Sequence, residues 1–135
     1  MARAIVCALA FAVLAGCSTG PPLIDVSGDV TLDGAPFGTG NDAQIRFEPN
    51  GKLGNSLEAF IVQGKYAGKL TPGIYKVSIT WNRSTGKKAQ GNLAGPGEDA
   101  EAVEVMIPAK YNDATTLTAQ VDSSSKVHNF ALTKK

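Results

Sequence analysis

From Asp25 onward, apolar and polar residues alternate with a period of two, and that period is the signature of half-buried β-strands. Val26, Gly28, Val30 and Leu32 fall on one face, and Asp25, Ser27, Asp29, Thr31 and Asp33 on the other. The reason is geometric: successive side chains of a strand point to opposite sides. Asp33-Gly34 turns the chain. Ala43, Ile45 and Phe47 then alternate with Gln44, Arg46 and Glu48, and Pro49-Asn50-Gly51 closes that strand. Leu57 to Gln63 is a more continuous apolar run, with Phe60 and Val62 out of step with Ala59 and Ile61, which predicts a strand covered on both sides or bulged. Gln63-Gly64-Lys65 predicts a tight hairpin leading into Tyr66, Gly68 and Leu70. Beyond the turn at Thr71-Pro72-Gly73, Tyr75, Val77, Ile79 and Trp81 make the strongest alternation in the chain. That strand is expected at the centre of the core.

The pattern then stops for the 21 residues from Asn82 to Ala102, where Leu93 is the one large apolar residue. Lys87 and Lys88 lie early in this stretch, and Glu98, Asp99 and Glu101 late. So long a connection in a compact domain is functional or without fixed structure, and its charged residues are candidates for contact with a partner. Strands resume at Val103, Val105 and Ile107, at Leu117 to Val121, and at Val127 to Thr133 after Asp122-Ser123-Ser124-Ser125. No run of ten residues in this region repeats apolar positions at helical spacing. The expected fold is all-β, an antiparallel sandwich of seven or eight strands.

A different segment precedes the alternation. Arg3 is followed by an apolar run of 12 residues, Ala4 to Ala15, ending in Leu14-Ala15-Gly16-Cys17. The run is short of the roughly 20 residues that span a bilayer, and it has the charge and apolar order of an export signal. Leu14, Ala15, Gly16 and Cys17 resemble the lipobox of bacterial lipoproteins. The resemblance implies a signal peptide over residues 1-16, a lipidated Cys17, a tether over residues 17-24 and one domain over residues 25-135. It also implies a protein held at a bacterial cell membrane on its periplasmic side. Ser18 is not the aspartate of inner-membrane retention, so the outer membrane is favoured over the inner.

Removal of residues 1-16 leaves 119 residues with 12 basic and 12 acidic side chains, because Arg3 is the one charged residue lost. A formal net charge of zero argues against nucleic acid as a partner and against electrostatic adhesion to anionic lipid. Both cysteines are taken by the export reading: Cys7 leaves with the signal and Cys17 is modified. No disulfide then supports the domain, and 119 residues are enough for a core to do so alone.

The ordered residues also resemble a family. Val26-Ser27-Gly28-Asp29-Val30-Thr31-Leu32-Asp33-Gly34-Ala35-Pro36 is similar to the opening V-x-G-x-V-x-x-D-G-x-P of carboxypeptidase regulatory-like, transthyretin-like domains, and Thr71 to Val77 is similar to their P-G-x-Y-x-V strand. Met106 to Asp113, with Asn129-Phe130-Ala131-Leu132, resembles the ending of small planctomycete-type lipoproteins that carry this domain. The resemblance implies a prealbumin-like sandwich serving as a folding, binding or interaction module. Val62-Gln63-Gly64-Lys65-Tyr66 lacks the two aspartates of the family's usual D-x-D-G hairpin, which speaks against a calcium role at that turn.

Candidate chemistry is sparse. His128 is the one histidine, and its parity with Phe130 and Leu132 makes it a packed or rim residue on the inward face. A zinc site normally needs three or four ligands. Asp25, Asp29 and Asp33 share one face, but at that spacing neighbours on a strand stand about 13 Å apart, too far to share one ion; they read as a solvated, edge-protecting face. Gly38-x-Gly40-x-x-Ala43 opens a strand and not a helix, so it is no dinucleotide loop. Lys110, Tyr111, Asn112 and Asp113 have two readings: Tyr111 covers the end of the core, or it anchors a recognition edge. No enzymatic activity, metal or cofactor is expected. The expected role is a lipid-anchored envelope module for protein or surface interaction. The alternative is a carrier for a sugar or hydrophobic metabolite, with a pocket near Trp81 or Tyr75.

Overall fold

The computed structural model describes residues 20-88 and 101-135, and side chains for residues 20-87 and 102-135. The lipobox with Cys17, and Glu98 and Asp99, lie outside the described residues. The alternating segments form β1 (Ile24–Leu32), β2 (Ala35–Pro36), β3 (Thr39–Pro49), β4 (Leu57–Val62), β5 (Lys65–Leu70), β6 (Gly73–Lys88), β7 (Glu101–Val105), β8 (Thr118–Val121) and β9 (Phe130–Leu132). Among the described residues the one helical element is a 3-10 turn at Ala109–Tyr111. The all-β sandwich expected from the alternation is what the chain forms, with its sheet curled into a half-barrel. Among the described residues there are nine strands, against the expected seven or eight. The additional one, β2, is two residues paired with the end of β1 across the Asp33-Gly34 turn.

The strands run in the order β2-β1-β5-β4-β3-β6-β7, with β8 on β6 and β9 on β1. Most pairs are antiparallel. The exception is β9, which lies parallel to β1 with Val30 opposite Phe130 and Leu32 opposite Leu132. Gln63, at φ 49°, and Gly64, at φ 74°, make the hairpin turn that sets Val62 opposite Lys65, the left-handed pair that such two-residue turns require.

Inward positions follow the period of two. Val26, Val30, Ala43, Ile45, Phe47, Ile61, Leu70, Tyr75, Val77, Ile79, Val121 and Leu132 are all buried in one cluster. Each large side chain removed from water there contributes roughly 1.5–3 kcal/mol. As expected, Tyr75, Val77 and Ile79 are central: their strand pairs with β3 on one side and β8 on the other.

Two expectations need correction. Strand β4 is not covered on both sides, because Phe60 and Val62 are 52% and 47% exposed on its outer face. The bulge belongs to β3, between Thr39 and Gln44. The stretch Asn82 to Ala102 is not a continuous loop either. Strand β6 continues to Lys88 and pairs with β7, Asn82 opposite Val105 and Ser84 opposite Val103. Asn82 through Lys87 are all exposed, so no core demands alternation of them; the strand is held by its backbone ladder.

Candidate functional site

The extended β6 and β7 form a two-stranded ribbon beyond the core. The chain leaves the core after Trp81 and returns at Ile107, which is buried. The Met106 N–H donates to the Trp81 carbonyl at 2.9 Å, and the Thr85 hydroxyl to the Ala102 carbonyl at 2.9 Å. In an antiparallel pair, donors and acceptors alternate between partner and open side. Residues 102, 104 and 106 therefore face β6, and the N–H and C=O of Val103 and Val105 face outward. Among the described residues, β7 ends the strand order with nothing beside it. Val103 and Val105 are also 57% and 64% exposed. An open backbone edge coincides with apolar side chains that no core covers.

At the root of the ribbon, Trp81 stacks on Phe37 with ring centroids 4.8 Å apart. The Trp81 indole N–H donates to Asp42 at 2.9 Å, and the other oxygen of that carboxylate accepts the Thr39 N–H at 2.7 Å. Burial pushes the Asp42 carboxyl up, but the hydrogen bonds from Thr39 and Trp81 outweigh it and hold the carboxyl below its ordinary value. Beside this pair lies an open groove of about 290 Å³ bordered by Leu32, Asp33, Pro36, Phe37, Trp81 and Lys134. Tyr75 does not border this groove: its ring is buried against Phe47 and its hydroxyl donates to the Thr71 carbonyl at 2.8 Å.

The residues singled out in the sequence are dispersed. Lys87 is exposed on the ribbon, and Lys88 stands opposite Glu101 in its ladder. Tyr111 lies elsewhere: it packs against the core, its hydroxyl accepts the Thr133 N–H at 3.1 Å, and the Lys110 ammonium sits over its ring. The His128 ring is half-buried with Nε2 3.1 Å from the Ser125 carbonyl. Asp25 and Asp29 pair with Lys69 and Lys65 across β1 and β5, each at 2.7 Å, so they form a cross-strand ion ladder inside the sheet and not a protected edge. Asp33 accepts the Lys134 N–H. Among the described residues no three His, Cys, Asp or Glu side chains gather closely enough to hold a metal ion.

Sequence reasoning missed Asp42, Val103 and Val105 as site residues. Asp42 stands 39 residues from the indole it binds, and no spacing signals such a pair. The valines carry a signal, since they follow a stretch with no alternation, but that signal is the same as for an ordinary strand position.

No protein-family model matches this sequence, and no curated protein matches it significantly. In structure the chain is similar to a DUF3823 family protein from Parabacteroides merdae, with 19% identity, a TM-score of 0.40, and coverage of 84% of this chain and 45% of that one. The chain thus spans less than half the length of that protein.

Proposed function

We propose that this protein is a non-enzymatic module of the bacterial cell envelope, anchored by lipid on Cys17, that binds an extended segment of another protein along β7. The observation that carries the reading is the open edge at Val103 and Val105. A strand added there gains main-chain hydrogen bonds to two residues and covers two exposed valines, the two ingredients of recognition by strand addition. The lipobox resemblance supplies the location, and the likeness to carboxypeptidase regulatory-like domains supports a binding rather than a catalytic role. Balanced charge fits a partner recognised by backbone and apolar contact more than by electrostatic steering.

Two measurements test it. Intact mass of the membrane-extracted protein is expected to equal residues 17-135 plus lipid, with Cys17→Ala left unprocessed; a mass retaining residues 1-16 overturns the anchor. Hydrogen exchange in the presence of solubilised envelope is expected to protect the amides of Val103 and Val105, and unchanged exchange overturns the edge.

A second reading, a carrier for a small amphipathic ligand, is favoured by the groove at Trp81. Its aromatic floor, with Lys134 and Asp33 both at its border, suits an apolar body bearing a polar end. Quenching of Trp81 fluorescence by such a ligand, weakened in Phe37→Ala, is its test, and no quenching by any such ligand overturns it.

A further inference from the structure

We propose that the outer face of the sheet holds a second site, which takes one ring-sized unit of a neutral saccharide. It is separate from the β7 edge and from the Trp81 groove, and does not depend on either reading.

Strand β3 runs between β4 and β6, and the registers line up outward side chains in rows. Phe60, Gln44 and Thr80 form one row, and Glu58, Arg46 and Ser78 the next. Asn112 and Asp113, from the turn that follows Ala109–Tyr111, close one side, and a groove of about 200 Å³ remains between them. Asn112 is itself held by a 3.4 Å hydrogen bond from its amide to the Ile107 carbonyl.

Every residue lining this groove carries a hydrogen-bonding side chain. Arg46 is engaged through Nε with Glu48 at 3.2 Å, which leaves its two terminal amino groups for a ligand. Among the described residues no protein group hydrogen-bonds the side chains of Gln44, Glu58, Ser78 or Thr80, so their donors and acceptors are available to a ligand. The guanidinium, carboxylate and amide groups are planar and bidentate, which suits pairs of adjacent hydroxyls that donate and accept. Phe60, exposed and opposite Gln44 just outside the groove's lining, offers an apolar surface beside it for the C–H face of a sugar ring.

Charge selects the class. Arg46 lines the groove together with Glu58 and Asp113, and Lys76 stands opposite Glu48 beyond it, so an anion meets two carboxylates and a cation meets the guanidinium. A neutral polyol meets no opposing charge and uses both kinds of partner.

The test uses the full chain in a non-glycosidic detergent, titrated with cellotriose, chitotriose and maltotriose up to about 10 mM, and with inorganic phosphate as the charged probe. At least one trisaccharide is expected to bind, and phosphate is not. Arg46→Ala and Phe60→Ala, both at exposed positions, are expected to weaken binding roughly tenfold or more, with Gln44→Ala as a further variant should either fail to fold. Lys134→Ala and Val103→Ser, at the other two surfaces, are expected to bind as the parent does. The proposal is overturned by no trisaccharide binding at that concentration, by phosphate binding as well as sugar, or by binding that survives Arg46→Ala and Phe60→Ala within about twofold. None of these results bears on the β7 edge, whose readout is exchange protection.

Discussion

A methyl group on Gly28 would lie 1.8 Å from the carbonyl oxygen of His128 and 2.7 Å from its carbon. The segment before β9 is held against β1 and β5 at this point by four bonds: Ser27 N–H to the Lys126 carbonyl at 3.0 Å, His128 N–H to the Ser27 carbonyl at 2.9 Å, Asp29 N–H to the Asn129 side-chain oxygen at 2.8 Å, and the Tyr66 hydroxyl to the His128 carbonyl at 2.7 Å. Burial pushes the Tyr66 phenol's pKa up, so it stays a donor. Gly28→Ala must push this segment outward and break bonds that hold it. A loss of about 3 kcal/mol is expected in urea denaturation; a loss below about 1 kcal/mol would show that the segment yields freely.

Acid should loosen the ribbon's root. The folded Asp42 carboxyl titrates below its ordinary value of 3.8. Its charge therefore contributes stability that is present above the unfolded value and is lost as pH falls through the folded one. Trp81 fluorescence should report a loss of stability below about pH 4. Asp42→Asn should flatten that limb while leaving the rest of the pH profile in place, and an unchanged acid limb would remove Asp42 from the explanation.

Thr115 is buried and its hydroxyl donates to the Val77 carbonyl at 2.7 Å, beside the Val77 N–H bond to Leu117 at 2.9 Å. These bonds close the edge of β6 between β7 and β8. Thr115→Val keeps the shape but orphans a buried carbonyl, and should cost about 1–2 kcal/mol. An unchanged urea midpoint would mean that another donor takes its place.

The open edge should be thermodynamically idle in the free protein. Val103→Lys with Val105→Lys is expected to change stability by less than about 0.5 kcal/mol, as at other solvent-facing positions. The same variant should lose exchange protection by envelope extract. A large loss of stability would mean that the valines are covered within the chain itself.

Where the core imposes a side, the residues declared it. Tyr75, Val77 and Ile79 are inward as their alternation requires, and Asp33-Gly34 and Gln63-Gly64 turn the chain with left-handed φ values of 52°, 82°, 49° and 74°. Phe60 and Val62 misled because apolar residues on an outer face read like buried ones. The ribbon was hidden for the opposite reason: Asn82 to Lys87 are polar and exposed on both faces, and backbone pairing leaves no mark on side-chain pattern.

The chain's order of residues by itself determined an all-β domain, the faces of most of its strands and the places where it turns, since these follow from alternation and backbone preference within a few residues. Tertiary structure decided that β9 runs parallel to β1, that Gly28 must lack a side chain, that β7 ends the strand order among the described residues, and that Gln44, Arg46, Glu58, Ser78 and Asn112 border one groove. Those relations join residues far apart in the chain. They depend on which strands find one another when the shared apolar face is buried, and no local pattern encodes that choice.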